Sequence, residues 1–532
     1  MKKLIPFILF LSACMTGLAQ RKEVLNLNSD IQFDPIKRVS LDPYRSVQLR
    51  DPNVQDSTLA LGMAISGGGS RAEYFGLGVL MGLEEIRNRE PKSTRRNFLS
   101  DIDYFSTVSG GGFAVGYYLT IQKNVLSKFS EPPLFSTYWL SSTRTELLTE
   151  SISQSASPKD LMFLKMYEWN WIRDSFPERV DRELLQYGRT GTDKQVIPRL
   201  YLKDFFVSKA SNENPTMPMF VANGTIYGSL ERLPFMPHIV EHLNIAGSLM
   251  PVESLLTEKK ESNNGYDMPM NFGITASSAF PGILPQVKFE IASSDEKVIR
   301  VMDGGVVDNL GFTTLFELLG NDKVDIKNKR ALIVDCSGVG SLERFSEKEN
   351  IKIRKLVPDA LLFTLGSKYA NLDQTIRAHL AFYDIPRNNY VVLGITTLRD
   401  ELKSLNSDDQ ELKKIRAHYR KIKEQDGRLN HKHRQRDLFR EFEETLVNHF
   451  HPDVSSVVLA NKLSDNHIFR MDLIKSENFK DFTPSEKLQL YELASQVITK
   501  VKIERWEKSV LTLAGRYAVF LKKEQLAKLY SI

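Results

Sequence analysis

Two cysteines in 532 residues leave no basis for a disulfide framework. Stability must come instead from an apolar core, which a chain of this length with 42% hydrophobic and 26% charged residues can build as one large domain with extensions, or as two. After the first twenty residues, no apolar run approaches the ~20 residues that a membrane-spanning helix needs. There is no internal repeat at solenoid periods, and the reading calls for no metal and no cofactor. A strong overall charge is missing too. The formal net charge is +5, yet Glu411 to Arg440 alone holds eleven Lys or Arg against four Asp or Glu, so the remainder is slightly negative. That stretch reads as a solvated helix face or as a dock for anionic lipid, giving peripheral membrane contact. Nucleic acid is not an expected partner.

What is present begins with an export signal at residues 1–20, MKKLIPFILFLSACMTGLAQ: two lysines, an apolar run from Leu4 to Leu11, then small residues. Two processing sites compete. Leu11-Ser12-Ala13-Cys14 resembles a bacterial lipobox, in which Cys14 would be lipidated, and Gly17-Leu18-Ala19 suits an ordinary cut before Gln20. Either route predicts export from a bacterial cytoplasm to the periplasm or outer membrane, or secretion, with Cys336 as the remaining thiol. Residues 21–56 read as an extended lead-in.

Two strand, glycine turn, helix units follow. Thr58 to Ile65 (TLALGMAI) predicts a buried strand running into Ser66-Gly67-Gly68-Gly69-Ser70-Arg71, with helical spacing from Ala72 to Arg87. Ile102 to Val108 (IDYFSTV), Ser109-Gly110-Gly111-Gly112 and Phe113 to Ile121 repeat the pattern. Further strand signals lie at 218–222, 298–302, 331–334 and 391–395. Together they predict an α/β core with a mostly parallel sheet flanked by helices, spanning 57–345. An insertion at about 122–217 carries Trp139, Trp169 and Trp171, and its run Leu161 to Ile172 (LMFLKMYEWNWI) reads as core or as a lid. Residues 346–532 read as a mainly helical extension that either stands apart or completes the same domain.

A nucleophilic serine needs a sharp strand-to-helix turn with tiny neighbours, and Ser109 has one. The helix after it points its free N–H groups, Gly110 among them, at any oxyanion that develops there. Ser66 is the rival nucleophile, but the glycines after it suit a loop that presents bare amides, so Gly67, Gly68 and Gly69 are assigned to an oxyanion hole. Arg71 reads as a support for that loop, as an attractor of anionic head groups, or as a surface residue at a helix start. For the base, Asp303 ends the strand VIRVM ahead of Gly304-Gly305. Asp308 and Asp335 are its rivals, and an Asp-Gly-Gly alone is usually just a turn.

The ordered set SGGGSRA (66–72), STVSGGG (106–112), VANGT (221–225), ASSAFPGILP (276–285) and DGGVVDNLG (303–311) resembles the patatin-like phospholipases over about half of the chain. The resemblance implies a lipid or phospholipid acyl hydrolase in which Ser109 is the nucleophile, Asp303 the base and the glycines at 67–69 the oxyanion hole, with no catalytic histidine or metal. One departure stands out. The family's GxSxG has glycine two residues before the serine, and this chain has Thr107, whose Cβ should crowd the elbow.

Three other readings compete. Gly67-x-Gly69-x-x-Ala72 fits a dinucleotide fingerprint, but the acids about 20 residues on that should end a second strand are absent, Glu84 and Glu85 lying inside the first helix. Nine histidines leave a Ser-His-Asp esterase open, although none sits in a small-residue loop after a strand. A non-catalytic lipid-binding envelope protein is the third, with Thr107 as its only hint.

Overall fold

The structure, a computed structural model, describes residues 59–86, 98–124, 200–205, 217–236, 239, 245–248, 270–281, 286–291, 298–322, 324–336, 372–386, 388–403, 409–425, 431–450, 474–497 and 504–530. The export signal with Cys14, the lead-in and the 161–172 run lie outside these residues.

The first unit is β1 (Ala60–Ile65) and α1 (Gly69–Glu85), the second β2 (Tyr104–Thr107) and α2 (Gly110–Asn124). All six residues of β1 are buried, as a strand covered on both faces requires. Both helices start earlier than the spacing predicts, because the glycines form the first helical turns. Glycine is a poor helix former. Here it is needed for contact, since a Cβ on Gly110 would stand 2.0 Å from the Gly69 carbonyl oxygen.

The remaining strands are β3 (Met219–Ile226), β4 (Arg232–Phe235), β5 (Ile245–Ser248), β6 (Val287–Ile291), β7 (Val298–Asp303), β8 (Lys329–Asp335) and β9 (Tyr390–Gly394). Among the described residues they form one sheet in the order β5-β6-β7-β3-β2-β1-β8-β9, with β4 paired to β3. The half from β3 to β9 is parallel. The half built by β4, β5, β6 and β7 is antiparallel. Around it lie α3 (Met270–Ser277), α4 (Gly305–Asp308) and α5 (Phe312–Asn321).

β3 organises the site. Met219 and Tyr227 lie an even number of residues apart, so their N–H groups leave the same edge of β3. One donates to Asp103 ahead of β2 and the other to Arg300 in β7. Ile226, of opposite parity, donates to Glu231 beside β4 on the other edge. β2 runs parallel to β3 and ends with Thr107 opposite Ala222, whereas β7 runs antiparallel and ends with Asp303 opposite Gly224. The two carboxyl ends therefore meet head to head along one edge, with Asn223 at the notch between them.

The C-terminal region supplies α6 (Leu372–Phe382), α7 (Ile395–Lys403), α8 (Gln410–Gln425), α9 (His431–Phe450), α10 (Pro484–Gln496), α11 (Arg505–Leu521) and α12 (Lys523–Tyr530). It is mainly helical and also contributes β9 to the sheet. α10 begins with the Thr483–Glu486 capping box and Pro484. α11 lies backbone-close on α1: a Cβ on Gly78 would stand 2.2 Å from the Thr512 carbonyl oxygen, and one on Gly515 2.4 Å from that of Phe75. In the basic stretch, Leu412, Tyr419, Leu438 and Phe439 are buried while Lys413, Lys414, Arg436 and Arg440 face solvent. No helix among the described residues is long and apolar enough to cross a membrane.

Candidate active site

Ser109 follows β2 by two residues and has φ of 50°, the left-handed region that a side chain normally avoids. The strained turn lifts the residue off the strand, and its neighbours hold it there. Gly111 N–H donates to the Val108 carbonyl and Gly112 N–H to that of Ser109, starting α2 at once. Ser109 N–H donates to Ser277 Oγ at 2.9 Å.

Asp303, at the end of β7, is buried at 4% exposure. Its Oδ1 accepts from Gly305 N–H at 2.7 Å, and the Ser109 side chain lies close enough to the carboxylate to favour its ionised form. Burial pushes its pKa up to about 6, against the lowering effect of the Gly305 N–H and the Ser109 hydroxyl. A carboxylate of this kind is a better base at neutral pH than an exposed aspartate.

The glycine loop after β1 lies against this pair. A Cβ on Gly67 would stand 3.2 Å from Ser109 Cβ, so the loop approaches the serine only because it is bare. The Gly67 amide, expected as an oxyanion donor, instead donates to the Asn309 carbonyl at 2.9 Å, which removes it from that role. Gly68, at φ 148°, caps α1, and Gly69 and Gly110 open α1 and α2. Among the described residues the N–H groups of Gly68, Gly69 and Gly110 have no protein acceptor, as expected of the first amides of helices. Two helix starts and a strained serine beside a buried carboxylate make an arrangement suited to acyl transfer.

Residues 63–316 match the family model of the patatin-like phospholipases. That segment belongs to the patatin-like phospholipase family. No curated protein matches the chain.

Within the patatin-like segment, the remaining candidates have structural partners. Ser66 is fully buried, its Oγ accepting from Cys336 N–H at 2.8 Å. Asp308 is engaged as a cap, its carboxylate accepting from Gly311 and Thr313 N–H at the start of α5. Arg71 is not a surface residue: it is buried, and its guanidinium donates to the carbonyls of Cys336 (2.9 Å) and Val497 (3.4 Å), tying the start of α1 to the end of β8 and the end of α10. Burial pushes the Cys336 thiol up to about 12, so it stays protonated. Among the described histidines, His379 packs edge-on against Phe312, and His449 bonds to Glu486 in the C-terminal helices. No three His, Cys, Asp or Glu side chains are grouped as a metal site among the described residues.

Three residues of the site were not singled out from the sequence: Asn223, Ser277 and Thr314. Asn223 Nδ2 donates to Ser106 Oγ and to the Thr107 carbonyl at 2.9 and 3.0 Å, and its Oδ1 accepts from Thr314 Oγ1 at 2.5 Å. The signal was at hand, since Asn223 and Ser277 stand inside VANGT and ASSAFPGILP.

Proposed function

We propose that this protein is a lipid acyl hydrolase working through an acyl-enzyme, with Ser109 as nucleophile and Asp303 as general base. The observation that carries the reading is a serine held at positive φ beside a buried carboxylate whose pKa is raised. As Ser109 Oγ attacks the ester carbonyl, its proton moves to Asp303. The charge on the carbonyl oxygen is met by the amides of Gly68, Gly69 and Gly110 at two helix starts. Collapse of the tetrahedral adduct breaks the ester C–O bond, and the leaving alcohol takes the proton from Asp303. Water then attacks the acyl-serine, giving a proton to Asp303 that returns to Ser109 Oγ as the fatty acid departs.

The burial of Asp303 matters here, because an ordinary aspartate is a weak base for an alcohol. A phospholipid or another carboxylic ester of a long-chain acid is the substrate class, met at a membrane surface. The amino-terminal signal adds export, with Cys14 lipidated or removed during processing. A fluorophosphonate probe tests the nucleophile: the wild-type protein should be labelled and Ser109→Ala should not. Equal labelling of both would move the nucleophile elsewhere.

A further inference from the structure

We propose that Ser277 is a positioning residue that sets the spacing between Ser109 and Asp303. The inference rests on the acyl-hydrolase reading and deepens it.

Because β2 and β7 both stop at the notch, the Asn223 carbonyl on that edge of β3 has no strand to bond. Such a buried acceptor needs a partner. Ser277, fully buried at the end of α3, supplies one: its Oγ donates to Asn223 O at 2.6 Å. The same oxygen accepts from Ser109 N–H at 2.9 Å. Its backbone carbonyl accepts from Gly304 N–H at 3.2 Å, and two residues on the Ala279 carbonyl accepts from Asp303 N–H at 3.0 Å.

Ser277 thus holds the amide of the nucleophile through its side chain and the amide after the base through its main chain. The space is closed on the other side by bare backbone, since a Cβ on Gly304 would stand 2.0 Å from Asn223 O. The side-chain half of this link is what holds Ser109 in its left-handed conformation. Without it the turn is free to relax, and the Ser109 hydroxyl drifts from the carboxylate. A displacement on the order of 1 Å at reacting atoms costs about 100-fold in rate. The proximity of the Ser109 hydroxyl also lowers the Asp303 pKa. Its loss therefore moves that pKa further upward.

The test is the pH profile of kcat/KM for ester hydrolysis in Ser277→Ala, measured beside Ser109→Ala and with thermal unfolding as the check on folding. The folded variant should lose about tenfold or more in kcat with KM within about threefold, and its acidic limb should shift to higher pH than in the wild type. A folded Ser277→Ala with wild-type kcat and an unmoved limb would overturn the proposal, as would a loss that only tracks the unfolded fraction. If the alanine protein does not fold, Ser277→Cys keeps the packing and replaces a strong acceptor with a weak one. It should show the same shift, and a wild-type profile there overturns the idea. Retained activity in Ser109→Ala would instead refute the acyl-hydrolase reading itself, which separates the two failures.

Discussion

Thr107 and Gly112 face each other across the turn at Ser109, such that a Cβ on Gly112 would lie 3.3 Å from Thr107 Oγ1. The bulk expected to crowd the elbow is met by a missing side chain in the first turn of α2. Thr107 Oγ1 also donates to the Val221 carbonyl at 3.1 Å, so its hydroxyl is satisfied within the sheet. Thr107 is therefore accommodated without opening the turn.

It follows that Thr107→Ala should lower stability by about 1 kcal/mol, the worth of one buried hydrogen bond, and leave kcat within a few-fold. Urea unfolding and steady-state kinetics on the same preparation check this. A collapse of kcat without loss of stability would mean that residue 107 shapes the turn itself.

As the proposed base, Asp303 must be ionised to accept a proton. With its pKa at about 6, kcat/KM should rise as pH increases through about 6 and level off above it. An ordinary aspartate would place that limb near pH 4.

The same shift has a stability consequence of opposite sense to that of a paired carboxylate. The folded pKa of Asp303 lies above its unfolded value of 3.8, so the folded state binds more protons between pH 4 and 6. Stability should therefore fall as pH rises through that window and stay lowered above it, by roughly 3 kcal/mol. Asp303→Asn removes the buried charge. It should be inactive yet more stable than the wild type at pH 8, and the difference should vanish toward pH 4. Chemical denaturation at both pH values measures it.

Gly110→Ala should be severe although it adds one methyl group. The new Cβ would meet the Gly69 carbonyl oxygen at 2.0 Å, forcing apart the two glycine turns that carry the proposed oxyanion amides. A loss of about 100-fold or more in kcat is expected, comparable to losing one oxyanion donor. Acyl-enzyme formation followed by burst kinetics reads the step affected.

Much of this core could be read from local pattern. The two βα units were legible because an apolar run ending in consecutive glycines has few other uses, and β7, β8 and β9 showed the same buried-strand signal. β4 and β5 were not. RLPF carries Pro234 and pairs with β3 alone, and IAGS is short with a glycine inside it. Local turn geometry was enough to single out Ser109 and Asp303 as candidates, whereas residues placed by tertiary partners were not singled out. The bond from Ser109 to Ser277 spans 168 positions and that from Ser277 to Asn223 spans 54, distances at which no spacing rule operates. Gly67 failed as a donor for the same reason, its amide being taken by Asn309 from a remote loop.

Ester cleavage by the proposed Ser109–Asp303 pair admits a direct test. A panel of phospholipids and neutral lipid esters incubated with the wild-type protein and with Asp303→Asn, products identified by mass spectrometry, measures it. Free fatty acid and the matching lysolipid or alcohol should appear with the wild type and fall to background with the variant. Equal release by both proteins would contradict the account.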